Sequence, residues 1–252
     1  MSFTRQKYIR EKIAATSSVK VIEIAEALNT TPETIRKDLD ELEKKGFLRR
    51  VHGGAISLDY FKMEESDFDL RSNLQMENKR YIAQNASREI ESGSSLFIDN
   101  GTTCFEFAKT IIGIHKLKIV TPSLKIASFF QEESSAEVLL LGGWLKKYEP
   151  AVFGEYTLSM LRDFHTNKAI LSCAGITVNE GLMDIDSDDA AIKRQAIIST
   201  DMTLLLADHT KFCSKAFVIV TQIENIGRIY TDTQLPDKIA NIFIEKGVDL
   251  NR

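Results

Sequence analysis

The sixteen residues from Thr31 to Gly46, TPETIRKDLDELEKKG, leave the backbone few choices. Thr31 is a good N-cap, and Pro32 suits the first helical position, where its missing N–H costs nothing. Glu33 puts negative charge beside the positive end of the helix dipole. Ile35, Leu39 and Leu42 recur at i, i+4 and i+7 and make one apolar stripe. Gly46 stands just past the last turn, where a left-handed residue ends a helix. The spacing predicts a helix over 32–45 with its stripe buried. Glu33, Thr34, Arg36 and Lys37 are then left in water at its N-terminal end.

The flanks extend this reading. Tyr8, Ile9 and Ile13 mark a first amphipathic helix over 4–15, Val19-Lys20-Val21 reads as a short strand, and 22–28 returns to helical spacing. After Gly46, Phe47-Leu48-Arg49-Arg50-Val51-His52-Gly53-Gly54 runs from strand residues into a basic, glycine-containing turn. The order predicts a winged helix-turn-helix over residues 1–57. Such a module presents the N-terminal end of its recognition helix to base edges and phosphates in the major groove of double-stranded DNA. Thr31, Glu33, Thr34, Arg36 and Lys37 are the candidate contacts on the helix, with Arg49, Arg50 and His52 on the wing. A plain helical hairpin with solvated charges is the competing reading of any one of these features.

Charge is distributed to match. The whole chain carries −4, but residues 1–57 balance at +3 and residues 58–252 at −7. A basic small half on an acidic large half implies that only the first meets a polyanion. No run approaches ~18 apolar residues, so the sequence predicts no membrane span. The charged N-terminus lacks a secretory signal's apolar stretch, and Cys104, Cys173 and Cys213 form no C-x-x-C pair. A cytoplasmic protein with free thiols is expected.

Residues 58–76 show mixed charge without periodicity and read as a linker, with Glu77 opening a second domain over 77–252. Lys79-Arg80 on that first helix reads as a solvated face. Beyond it, strand-like and helical runs alternate from Leu96 to Lys246, which predicts an α/β fold with a largely parallel, doubly wound sheet. Runs at 168–173, 203–207, 217–221 and 228–232 are all expected as strands. Ligands in such sheets bind at the carboxyl ends of strands. Asp99-Asn100-Gly101-Thr102-Thr103 follows one strand and opens a helix, an anion cradle in outline. It lacks the G-K-[ST] ending of a nucleotide-binding loop, and a Thr-Thr helix cap without a ligand fits the residues equally. Gly175 follows another strand, and Asp208-His209-Thr210-Lys211 a third. Lys211 reads as an effector contact, a surface charge or a partner for Asp208; Lys193 as a contact or a solvated charge.

TTPETIRKDLDELEKKGFLRRVHGGA resembles the signature of the DeoR family of bacterial regulators, with its T-I-R-[RK]-D-L core and H-G-G-A ending, without a gap from Arg5 to Ala55. IDNGTT, LLGGWLKK, CAGI, EGLMD and LADHTKF resemble successive blocks of that family's effector domain, in order. The resemblance implies a fold like ribose-5-phosphate isomerase and a phosphorylated sugar as effector. Asp99, Gly101, Thr102, Thr103, Gly175, Lys193, Asp208 and Lys211 are its implied contacts. It also implies repression of a carbohydrate-catabolism operon by a homo-oligomer, at least a dimer. Two positions depart from the family: Asp189 where a Glu is common, and Cys213 where a Gly is usual.

Catalysis is the competing function. An isomerase fused to a DNA-binding module needs an acid/base group beside the substrate carbons. Where an isomerase has a carboxylate-rich block, this chain has Ser172-Cys173-Ala174-Gly175-Ile176. No enzyme activity, cofactor or metal is expected. The run Asp184-Ile185-Asp186-Ser187-Asp188 opens like a calcium loop but has Asp189 at position six and Gln195 at position twelve. His52, His115, His165 and His209 show no metal-ligand spacing.

Overall fold

The computed structural model describes residues 2–16, 18–51, 53–57, 68–146 and 149–252. The chain separates into two compact units, residues 1–66 and 67–252.

The first unit contains α1 (Ser2–Thr16), β1 (Ser18–Lys20), α2 (Val21–Ala27), α3 (Pro32–Lys44), β2 (Leu48–Val51) and β3 (Gly54–Ser57). The strands form an antiparallel sheet in the order β1-β3-β2. The Thr31 hydroxyl caps α3 by accepting from the Thr34 N–H at 3.3 Å. Gly46 adopts φ +72° and Phe47 N–H returns to the Leu42 carbonyl at 3.0 Å, so the helix ends where expected. Ile35, Leu39 and Leu42 are buried with Ile9, Ile13 and Ile24 in one core. Asp38, also buried, receives Arg5 Nε of α1 at 2.6 Å and ties the first helix to the third.

The second unit opens with α4 (Phe68–Asn73) and α5 (Met76–Ser87). Both begin inside the stretch expected to be a linker. Phe68 is buried, its ring edge-on to Phe105 at 5.7 Å, and a helix of six residues is too short to show a helical period in sequence. Then come β4 (Ser95–Ile98), α6 (Thr102–Thr110), β5 (Lys118–Thr121), α7 (Leu124–Glu133) and β6 (Glu137–Leu140). A small hairpin, β7 (Trp144–Leu145) with β8 (Val152–Phe153), precedes α8 (Glu155–Arg162) and β9 (Thr166–Leu171). A second hairpin, β10 (Gly175–Thr177) with β11 (Gly181–Asp184), leads to α9 (Ser187–Ile198) and β12 (Thr200–Leu206). The chain continues through β13 (Val218–Thr221), β14 (Arg228–Tyr230), α10 (Asp237–Glu245) and β15 (Leu250–Asn251).

Seven strands pair in parallel in the order β15-β14-β12-β9-β4-β5-β6. Their side chains alternate between two cores. Leu96, Ile98, Ile170, Leu204 and Leu206 pack with residues of α5, α6 and α7. Phe97, Ala169, Leu171 and Leu205 pack with residues of α8, α9 and α10. The sheet is doubly wound, as the alternation of runs predicts. One strand differs. The 217–221 run is expected in the parallel sheet, yet β13 pairs antiparallel with β11 in a separate three-stranded sheet, β10-β11-β13. Its short apolar sequence suits either sheet, and only the hairpin before it decides the pairing.

Because Leu39 is fully buried beneath α3, Leu39→Ala is expected to destabilise the first unit by about 2–5 kcal/mol. Urea denaturation followed by circular dichroism checks this.

Candidate DNA-binding face and effector site

On α3, Thr31, Glu33, Arg36 and Lys37 are exposed and Thr34 is half-buried. The helix thus keeps its buried stripe inward and its first turns available. Arg36 and Glu33 pair at 3.2 Å, an exposed contact that neighbouring phosphate can replace. Thr31 and Thr34 share a 2.8 Å hydroxyl hydrogen bond, so both are partly engaged in capping. Arg50 is placed differently from its expected role on the wing. Its guanidinium donates to the Arg36 carbonyl at 3.1 Å and lies 3.3 Å from Asp40. Its N–H donates to Glu43 at 2.8 Å. Arg50 therefore fastens β2 to α3 and braces the exposed helix. Arg49 lies on β2 opposite Ile56 in the register, and His52 falls outside the described residues.

The second site lies where the sheet changes direction. From β4 the chain steps through β5 to β6 on one side, then returns to place β9 against the other side of β4. The crevice at the carboxyl ends of β4 and β9 is the topological switch point of a doubly wound sheet. Asp99 through Thr103 leave β4 there, and Ser172 leaves β9. Gly101 is required by this approach: a Cβ on it would lie 2.0 Å from Ser172 Oγ. Thr102 and Thr103, both buried, open α6, whose N-terminus favours an anion.

Behind that loop lies a buried ionic cluster. Asp99 accepts from Ser172 N–H at 3.1 Å and Ser172 Oγ at 2.8 Å, and Lys193 Nζ lies 3.3 Å away. Lys193 also contacts Asp184 directly. Burial pulls the Lys193 ammonium down, but Asp184, Asp99 and Asp189 more than offset it and hold its pKa well above the ordinary lysine value. Lys193 and Asp99 are spent on each other, which makes them positioning groups for the anion loop. Gly175 is likewise structural. It starts β10, and a Cβ there would meet the Ser214 carbonyl at 2.3 Å.

Beside the loop stands a second group of charges. Asp208, buried, caps the turn His209–Lys211 by accepting from Thr210 N–H at 2.9 Å. Lys211, half-buried, ends that turn. His209 Nδ1 is held 3.0 Å from the buried carboxylate of Asp232. The partner that sequence reasoning missed is Lys79. It is buried rather than solvated, donates to the Arg71 carbonyl, and senses Asp208, Lys211, Arg71 and Glu106 as its nearest charges. Burial chiefly, with Lys211 and Arg71, brings its pKa down to about 8, against the pull of Asp208 and Glu106. The signal was present in the sequence: Lys79 shares its helical stripe with Ile82, Ala83 and Ala86, all buried. The loops after β4 (Gly101, Thr102, Thr103) and β12 (Asp208, Lys211) leave the same end of the parallel sheet, and Lys79 has Asp208 and Lys211 among its neighbouring charges. Glu149, also unforeseen, accepts from Asn100 Nδ2 at 3.1 Å and pairs with Arg71.

A helix-turn-helix unit with an exposed, braced third helix, followed by an α/β unit with cationic groups at its switch point, defines a two-part transcriptional regulator. The pattern of the DeoR-like helix-turn-helix domain matches residues 5–61, and that of the DeoR C terminal sensor domain matches residues 74–233. The chain belongs to the DeoR family of transcriptional regulators. It is 33% identical to the glycerol-3-phosphate regulon repressor of Haemophilus influenzae, covering 99% of this chain and 96% of that protein. It is 30% identical to the lactose phosphotransferase system repressor of Streptococcus mutans, covering 94% and 95% of the two chains. Ribose 5-phosphate isomerase from Plasmodium falciparum superposes with a TM-score of 0.40 at 14% identity, over 54% of this chain and 52% of that one. Among the described residues no helix is long and apolar enough to cross a membrane.

A Lys79 pKa near 8 predicts a pH dependence for an anion held beside this lysine. Below that value the ammonium is charged and attracts an anion; above it the amine is neutral. Affinity for sulfate, whose own charge is fixed over this range, is expected to fall as pH rises from 7 through 8 to 9. Calorimetric titration at the three pH values checks it, and a flat profile removes Lys79 from the site.

Proposed function

We propose that this chain is a cytoplasmic repressor of a carbohydrate-catabolism operon that binds double-stranded DNA through α3 and responds to a phosphorylated sugar. The observation that carries the reading is the convergence of Lys79, Lys211 and Asp208 with the N-terminus of α6. Two lysines and a helix dipole favour a phosphate, and a carboxylate beside them accepts hydroxyl hydrogen bonds. The name of the Haemophilus influenzae relative, a repressor of the glycerol-3-phosphate regulon, supports a small phosphorylated metabolite as the class of effector.

Sensing rather than catalysis is the better reading of the carboxylates. Asp99 and Asp184 are neutralised by Lys193, and neither is left as a general base for a sugar carbon. On the DNA side, Arg36 and Lys37 are the contacts the exposure of α3 favours, with Arg49 and His52 as wing candidates. A homo-oligomer, at least a dimer, follows from how winged modules read paired half-sites, about 34 Å apart.

With an operator selected from random duplexes, Arg36→Ala is expected to weaken specific binding by about 1–3 kcal/mol. Lys79→Ala is expected to bind that duplex as the wild type does but to need at least about tenfold more effector for release. Mobility-shift titrations measure both. Normal release by Lys79→Ala would sink the placement of the effector.

A further inference from the structure

Two side chains between Gly142 and Ala151 fasten described residues there to other elements, beside backbone hydrogen bonds at Gly142 and Pro150. Lys146 reaches Asp189 on α9 at 2.5 Å, and Glu149 bridges Arg71 on α4 and Asn100 in the anion loop. The second fastening is the unusual one. Glu149 sets a carboxylate, four-fifths buried, against a cation and an amide donor next to the loop that favours an anion. It leaves Arg71 incompletely satisfied: Nε of that guanidinium is buried with no acceptor in reach among the described residues. A carboxylate offers two oxygens, whereas a phosphate offers three and more charge, so a phosphate serves this donor set better. Arg71 is also tied to the cationic side of the site, because its carbonyl accepts from Lys79. Arg71 pairs with Glu149, while Lys79 has Asp208, Lys211, Arg71 and Glu106 as its neighbouring charges, Glu106 being engaged by Lys109 at 2.5 Å.

We propose that Glu149 is a specificity-determining residue of the effector site, a resident carboxylate that occupies Arg71 and Asn100 in the empty protein and must be displaced by the incoming anion. The inference rests on the reading of the site as a phosphate sensor and deepens it. Glu149 sets a threshold. Weak, singly charged anions do not dislodge it, while a phosphorylated metabolite that also engages Lys79 and Lys211 does. Displacement releases Glu149 from α4 and from Asn100 and transfers Arg71 to the effector. Arg71 lies on α4, the first helix after residues 58–67 that lead from the DNA-binding unit, so the exchange acts where the two units join in sequence.

The test is calorimetric titration of the full chain with inorganic phosphate, for wild type, Glu149→Gln and Glu149→Asp. Removing the competing charge in Glu149→Gln is expected to lower the half-saturating phosphate concentration by about fivefold or more. Glu149→Asp, one methylene shorter, is expected to fall between that variant and wild type. Equal or weaker binding by Glu149→Gln, with or without a drop in melting temperature, overturns the proposal and makes Glu149 a purely structural tie. If Glu149→Gln does not fold, Glu149→Asp decides: tighter binding supports the resident-anion role, and equal or weaker binding overturns it. Wild type that binds neither phosphate nor any sugar phosphate would defeat the sensor reading, and this one with it. Wild type that binds, with Glu149→Gln unimproved, defeats this one alone.

Discussion

The buried ammonium of Lys193 fixes the end of the sheet on which everything else is built. It lies between Asp99, at the carboxyl end of β4, and Asp184, at the end of β11, and it reaches both from α9. The end of β4 is pinned to β11 and α9, which lie some eighty residues further along the chain. Asp99 in turn holds Ser172, and Ser172 sets the space that only a glycine at 101 can enter. Breaking such a buried cluster by removing one partner costs about 3–5 kcal/mol, because the remaining charges lose compensation. The 99–103 loop is held by the Asp99–Lys193 pair and by the hydrogen bonds of Asp99 to Ser172.

Much of the first unit was legible in the sequence because its signals are local. Thr31, Pro32 and Gly46 specify a start and a stop within one helix, and the stripe of Ile35, Leu39 and Leu42 specifies its inner face. Arg50 was not legible. Its contacts with Asp40 and the Arg36 carbonyl depend on how β2 folds back onto α3. In the second unit, alternation gave the doubly wound sheet, while the pairing of β13 with β11 depends on a hairpin whose strands are three and four residues long. Lys79 shows how charge misleads. Beside Arg80 it reads as surface, yet its position on the stripe of Ile82, Ala83 and Ala86 places it inside. The sign of a side chain is visible in a sequence; the ion that balances it is visible only after folding. The same holds for Gly175, whose need for space comes from Ser214, a residue in a different loop.

The two units divide the work on physical grounds. α3 exposes its first turns, held by a cap and a brace, and contributes positive charge to a polyanion. The α/β unit holds Arg71 with one donor atom unmet among the described residues and pairs it with Glu149. An effector that binds there can alter DNA affinity only by the difference in its own affinity for the DNA-bound and free states, an exchange typically of about 1–3 kcal/mol.

The account stands or falls on phosphate recognition at the carboxyl end of the sheet. The most direct measurement is the melting temperature of the purified protein across a panel of sugar phosphates, each beside its unphosphorylated parent. Binding to the native state raises stability by an amount set by concentration over dissociation constant. The account predicts a saturable rise for at least one phosphorylated compound and none for its parent. Equal shifts for a sugar and its phosphate, or a rise for unphosphorylated sugars alone, would contradict it.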